Sequence, residues 1–260
     1  MKEEKQQESE QDTCIDLQVE EKPVLNKDDL VKRLDKSWDQ ISDILQTEEG
    51  NFKELAKTLA EILHDLVANL VNLSNDKDLE QSACKFCKET HIFNKIYNWT
   101  GQHRECLRIM AHQQLLIYKK ILEDSSIGLL SCNEVLFPLL LLLMSLKPTD
   151  KRKVPSDIET LYISILYHLA KRISSLDFLD LLSQDLFTPD GFKIPKFTFF
   201  ELLTLYTHHP GDNGSLARKA TLDSIKVSEH HEAFQKYIIE ESSVSVVGVI
   251  FLSIISKLLC

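Results

Sequence analysis

The chain is 260 residues long, 43% hydrophobic and 27% charged, with only seven glycines and seven prolines; it can bury a large core and favours long helices over the turn-rich sequence of a sandwich or barrel. Its formal charge is −10, and the first 22 residues hold eight acids (Glu3, Glu4, Glu8, Glu10, Asp12, Asp16, Glu20, Glu21) against three lysines. An acidic surface repels phosphate backbones, which disfavours general nucleic-acid binding and charge-driven adhesion to anionic lipid.

Met1 opens a charged stretch where a secretory signal would need an apolar core. The six cysteines (Cys14, Cys84, Cys87, Cys106, Cys132, Cys260) are therefore expected to be reduced. The glycosylation patterns at Asn72, Asn98 and Asn213 read as chance matches.

Residues 1–25 are polar, acidic and without apolar periodicity, and read as a disordered acidic leader. From Asp28 the residues Val31, Leu34, Trp38, Ile41 and Leu45 recur at intervals of three and four, the stripe of a helix that Gly50 and Asn51 break. Leu55, Leu59, Ile62, Leu66, Leu70 and Leu73 mark a second helix of five or six turns. Residues 79–99 are less regular, a helix from about Gln102 carries Leu107, Ala111, Leu115, Tyr118 and Leu122 on one side, and Gly128 ends that pair.

Ser131-Cys-Asn-Glu134 and Ser156-Asp-Ile-Glu159 are capping-box patterns, each predicting a helix start. Val135 to Leu146 is apolar on every side, with Pro138 near its first turn, and is too short to cross a bilayer, so it predicts a helix in the middle of the packing. Lys151-Arg-Lys153 lies in a charged loop, Thr188-Pro-Asp-Gly191 predicts a turn, and further helices are expected over residues 197–207, from a cap at Ser215, and from Glu232 on. Strand alternation is confined to Val244–Val249. The fold class is all-α: a HEAT- or armadillo-like solenoid of about ten helices over residues 28–260, with paired helices repeating at about 40 residues.

Chemical motifs are sparse. Cys84-Lys-Phe-Cys87 with His91, and His103 with Cys106 nearby, supply metal-ligand types at helical spacing, but a closed zinc site needs four ligands, usually in two knuckles. The redox reading of C-x-x-C lacks a surrounding βαβ pattern. His208-His209 and His230-His231 point about 100° apart on a helix and read as surface or loop residues. No nucleophile elbow, P-loop or dinucleotide fingerprint is present. The residues thus define no catalytic, cofactor-binding or metal site. Val244 to Cys260 carries one charge, Lys257, in 17 residues, and keeps open a second reading, a tail-anchored membrane protein with a cytosolic helical domain.

Three stretches resemble the FHIP family, the FTS and Hook-interacting proteins. They are Trp38-Asp-Gln-Ile-Ser-Asp-Ile-Leu45; Leu115-Leu-Ile-Tyr-Lys-Lys-Ile-Leu122 through Val135-Leu-Phe-Pro-Leu-Leu140; and Phe199-Phe-Glu-Leu-Leu203 through Gly211-Asp-Asn-Gly-Ser-Leu-Ala-Arg-Lys-Ala-Thr-Leu222. Together they cover most of residues 38–248, and because family members continue in further helices, the chain reads as an amino-terminal portion of a longer domain. The resemblance implies a non-enzymatic scaffold with no cofactor or small-molecule substrate. Its implied partners are Hook-type and FTS-type proteins and Rab GTPases on endosomes. It implies a cytoplasmic location, peripherally at endosomes or vesicles, with membrane association indirect, linking cargo to Hook and dynein-based transport.

Overall fold

The computed structural model describes residues 27–148, 154–187 and 191–241. Helix α1 (Lys27–Leu45) starts at the predicted position and turns Leu30, Leu34 and Ile41 into the core. Gly50, at φ +147°, makes the break before α2 (Phe52–Ser74). The α2 face is wider than one stripe: Ala56, Ala60, Leu63, Val67 and Val71 are buried beside Leu59, Leu66, Leu70 and Leu73, because the helix packs on α1 and also on α5 (Leu107–Asp124). Leu55 and Ile62 are left half-buried at its margin.

The irregular stretch 79–99 resolves into α3 (Glu80–Thr90) and α4 (Ile92–Gln102). Between them His91 sits at φ +50°, a left-handed conformation that costs an L-residue roughly 1–2 kcal/mol. Its N–H donates to Cys87 O and its own carbonyl accepts from Lys95 N–H, each at 3.0 Å, so one residue ends one helix and begins the next. A 3-10 turn, Arg104–Cys106, leads into α5, which also buries two stripes. Leu107, expected on the buried side, is 45% exposed at the first position of α5.

Gly128 does not end a helix pair. It lies inside the short α6 (Ile127–Leu130), whose N–H at Leu129 donates to the Ser126 hydroxyl. Neither predicted capping box forms. The helices start nearby, at α7 (Asn133–Ser145) and α8 (Ser156–Arg172), but their caps are Cys132 and Pro155, without side-chain bonds. Ser131 donates instead to Ile127 O, and Ser156 is already helical. Helix α7 buries Val135, Leu136, Pro138, Leu139, Leu140, Leu142 and Leu143, as its all-round apolar sequence demands.

The chain continues through α9 (Leu176–Leu182) and a two-residue antiparallel ladder of β1 (Leu186–Phe187) with β2 (Lys193–Ile194), which the sequence pattern did not suggest. The predicted turn lies mostly outside the described residues, though Gly191 has the positive φ expected of it, +83°. Helix α10 (Thr198–Thr204) follows Phe197 at φ +53°. Helix α11 (Gly211–Ser228) begins four residues before the Ser215 cap that the sequence suggested, and α12 (Glu232–Lys236) runs into a π-helical turn, Tyr237–Glu241. The acidic leader, Lys151–Lys153 and Val244–Cys260 lie outside the described residues.

The described helices form rows. Helix α2 packs on α5, α5 on α8 and α8 on α11; alongside, α1 packs on α4, α4 on α7 and α7 on α10, while α3 meets α6. Side-chain bonds key the first row at both ends. Arg108 near the start of α5 pairs with Asp157 near the start of α8, and Asn213 in α11 donates to Thr160 in α8. At the far end Asn75 donates to Asp124 O at 2.7 Å, and Arg172 donates to the closing carbonyls of α5. Like ends therefore meet, and these long helices run in one direction.

Side chains bonded between neighbouring helices of this row lie 47–53 residues apart, 49 in the pairs His64–Gln113, Asn75–Asp124, Arg108–Asp157 and Glu123–Arg172, a wider spacing than the roughly 40 expected of paired helices. The pairing rule of two helices per repeat omitted the short third helix, α3, α6 or α9, that each unit inserts.

Candidate protein-binding surface

The metal-ligand residues do not converge. Cys87 is buried in α3, where burial pushes its thiol up strongly, while His91 is exposed at the helix junction. His103 lies elsewhere, its ring stacked 3.9 Å from Phe52 and 4.6 Å from Trp99, and Cys106 is buried in the adjoining 3-10 turn. Among the described residues no cluster of three or more His, Cys, Asp or Glu side chains could hold a metal ion.

The paired histidines separate by role. His208 and His230 are exposed, as expected, and His209 Nε2 stands 3.7 Å from Glu159. His231 departs from the surface reading. Its side chain is 9% exposed, Nδ1 accepts from Phe234 N–H at 3.1 Å to cap α12, and Nε2 therefore carries the proton donated to Asp180 at 2.8 Å. Sequence spacing missed this, since a histidine cap accepts through a ring nitrogen rather than a hydroxyl.

A concave apolar feature of the surface lies where α4, the start of α5 and the end of α7 meet. Tyr97, Gly101, Leu107, Ala111, Leu142 and Leu146 line a cavity of about 400 Å³. Two of its polar neighbours are bonded: Gln114 donates to Thr100 Oγ1 at 3.1 Å, and Thr100 donates to Ile96 O at 2.8 Å. Burial holds the Tyr97 phenol above its usual range, so it stays a neutral donor. Such a cleft offers an apolar seat with a few polar anchors, the chemistry of contact rather than of proton transfer. Leu107 is an exposed member of this lining, which the leucine spacing does not signal.

Elsewhere the exposed charges of α1 dominate one end. Asp28, Asp29, Asp35, Asp39 and Asp43 face solvent, and Lys95 lies over the Trp38 ring at 4.6 Å. Surface ion pairs such as Lys57–Glu54 and Lys85–Glu89 are exposed on both sides, and pairs of this kind contribute only about 0–1 kcal/mol each. Among the described residues no helix is long and apolar enough to cross a membrane.

Rows of like-directed helices, an apolar core running through them and a contact cleft on the outside define an all-α protein built by stacking. Residues 84–255 match the family described as RAI16-like, retinoic acid induced 16-like protein, and the chain belongs to that family. Its similar relatives are FHIP family proteins, as the three stretches beginning at Trp38, Leu115 and Phe199 implied. One from Nematostella vectensis is 28% identical over 219 residues, covering 82% of this chain and 24% of the relative. One from Anopheles gambiae is 25% identical over 225 residues, covering 80% and 21%. One from Drosophila melanogaster is 25% identical over 177 residues, covering 62% and 16%. The chain thus spans a quarter or less of the length of these relatives.

Proposed function

We propose that the chain is a non-enzymatic scaffold whose stacked helices present a fixed surface to Hook-type and FTS-type proteins, and so help link endosomal or vesicle cargo to dynein-based transport. The observation that carries this reading is the family match over residues 84–255. The packing supports it physically. A core continuous from Leu30 to Ile238 fixes loops and helix faces before any partner arrives, so association does not bear the cost of ordering the scaffold. In this reading the protein works in the cytoplasm, peripherally at endosomes, with Rab GTPases as further contacts.

Affinity capture from animal-cell lysate with the 260-residue chain as bait tests the proposal. Hook and FTS homologues are expected to co-purify in near-stoichiometric amounts. Their absence from a capture in which the bait is folded and helical rejects it.

A further inference from the structure

Three polar groups from different parts of the sequence meet where α3 packs against α6 and the start of α7. Cys84 Sγ lies 3.6 Å from Gly128 O, Cys132 Sγ lies 3.9 Å from Cys84 O, and Cys132 Sγ lies 3.1 Å from Glu134 Oε2. Cys132 Sγ thus approaches the backbone of the residue that bears the other thiol. A cavity of about 510 Å³, lined by Glu80, Gln81, Cys84, Lys85, Lys88 and Gly128, opens the Cys84 side to solvent, whereas Cys132 is 5% exposed behind it. Cys87, one turn along α3, is fully buried.

We infer that Cys84 and Cys132 form a peroxide-responsive dithiol, with Cys84 as the attacking sulfur and Cys132 as the resolving one, closing a disulfide that ties α3 to the start of α7. The neighbouring Cys132 side chain, aided by Lys88, brings the Cys84 thiol down to about 7, against the opposing effects of burial and of Glu80. Cys132 is held protonated by its contacts with Cys84 and Glu134 and by burial. The open sulfur is thus the nucleophile and the covered one a thiol reserve.

The oxidant is a small hydroperoxide, hydrogen peroxide being the simplest. The Cys84 thiolate attacks one peroxide oxygen; an S–O bond forms, the O–O bond breaks, and hydroxide leaves, giving a sulfenic acid. Cys132 then gives its proton to the Glu134 carboxylate and attacks the Cys84 sulfur. The S–S bond forms as the S–O bond breaks, and the departing hydroxide takes the proton as water. Two thiols and one peroxide yield one disulfide and two waters, a two-electron oxidation. The bond would close a loop of 48 residues across two stacked units.

Peptide mapping of the full chain under non-reducing conditions, before and after hydrogen peroxide, tests this. A cross-linked peptide joining Cys84 to Cys132 is expected, reversed by dithiothreitol, and still formed in Cys87→Ser. The pH profile of iodoacetamide labelling at Cys84 should have its midpoint near 7, and Cys132→Ala should move it towards the ordinary thiol range. Cys84 accumulating sulfinic acid without the cross-link, or pairing with Cys87 instead, overturns the inference. So does a labelling midpoint that Cys132→Ala leaves unchanged. None of these outcomes depends on Hook or FTS binding.

Discussion

Arg172, in the last turn of α8, donates through Nε to the carbonyl oxygen of Leu122 at 2.8 Å, and its Nη2 reaches the carbonyls of Glu123 and Ser125 at 3.2 and 3.1 Å. The last four carbonyls of a helix have no partner within it, and a cation there also offsets the negative end of the helix dipole. One planar guanidinium therefore closes α5 and sets its register against α8. Arg172→Ala is expected to destabilise the fold by about 2–3 kcal/mol, the scale of charge-assisted bonds left unmade. Arg172→Lys should recover only part, since a point ammonium cannot span three carbonyls. Urea unfolding measures both, and an alanine variant of unchanged stability contradicts the keying role.

Two helical glycines should respond in opposite directions. A β-carbon on Gly214 would sit 1.7 Å from the carbonyl oxygen of His209, where the backbone turns from α10 into α11 and Arg218 holds the carbonyls of Thr207 and His209. Gly214→Ala must therefore move backbone and is expected to cost about 3 kcal/mol, the upper range for overpacking. Gly101, near the end of α4, has nothing within 4 Å of that position. Gly101→Ala is expected to be neutral or to stabilise by up to about 1 kcal/mol through helix propensity. Thermal melts of the two variants decide the matter.

The buried tyrosines offer a sharper contrast. Tyr162 donates to Leu143 O at 3.1 Å, joining α8 to α7, whereas the hydroxyls of Tyr118 and Tyr206 have no bonding partner among the described residues. Tyr162→Phe should cost about 1 kcal/mol, the net worth of a neutral hydrogen bond with its acceptor left buried. Tyr206→Phe should be neutral or stabilising, because it deletes a desolvated group that gains nothing in return. Equal losses in both variants would refute the assignment.

Much of this architecture was legible in the spacing of leucines and isoleucines, and the reasons for the gaps are specific. Helices α1, α2 and α5 announce themselves because an apolar face recurs at three and four residues, and α7 because it is apolar all round. His91 hides the break between α3 and α4, since a left-handed residue is normally glycine and it is not. The hydroxyls of Ser131 and Ser156 fit a capping pattern but are spent, or placed, elsewhere once α6 and Pro155 set the local chain path. Cys84 and Cys132 are 48 residues apart, so no local motif joins them. Only the packing of α3 against α6 and the start of α7 brings them together.

His168 should make stability fall on acidification. It faces Glu123 at 2.9 Å, which favours its charged form, but burial outweighs that contact, and Lys171, Lys119 and Arg172 also oppose protonation, so its folded pKa lies below 6.5. The unfolded chain then binds the proton more readily. This contribution is complete above about pH 6.5 and is lost as pH falls from there through the lowered folded value. The stability difference between the native chain and His168→Gln should be flat above that point and shift against the native chain below it. A difference moving the other way would mean that Glu123 dominates.

The account turns on a helical stack formed before any partner binds. Far-UV circular dichroism of the isolated chain, with and without purified Hook-type and FTS-type proteins, tests it most directly. The stacked core predicts a strongly helical spectrum and one cooperative melt for the chain alone, with helix content unchanged beyond the sum of the components on mixing. A coil-like or β-dominated spectrum for the isolated chain, turning helical only when partners are added, would contradict it.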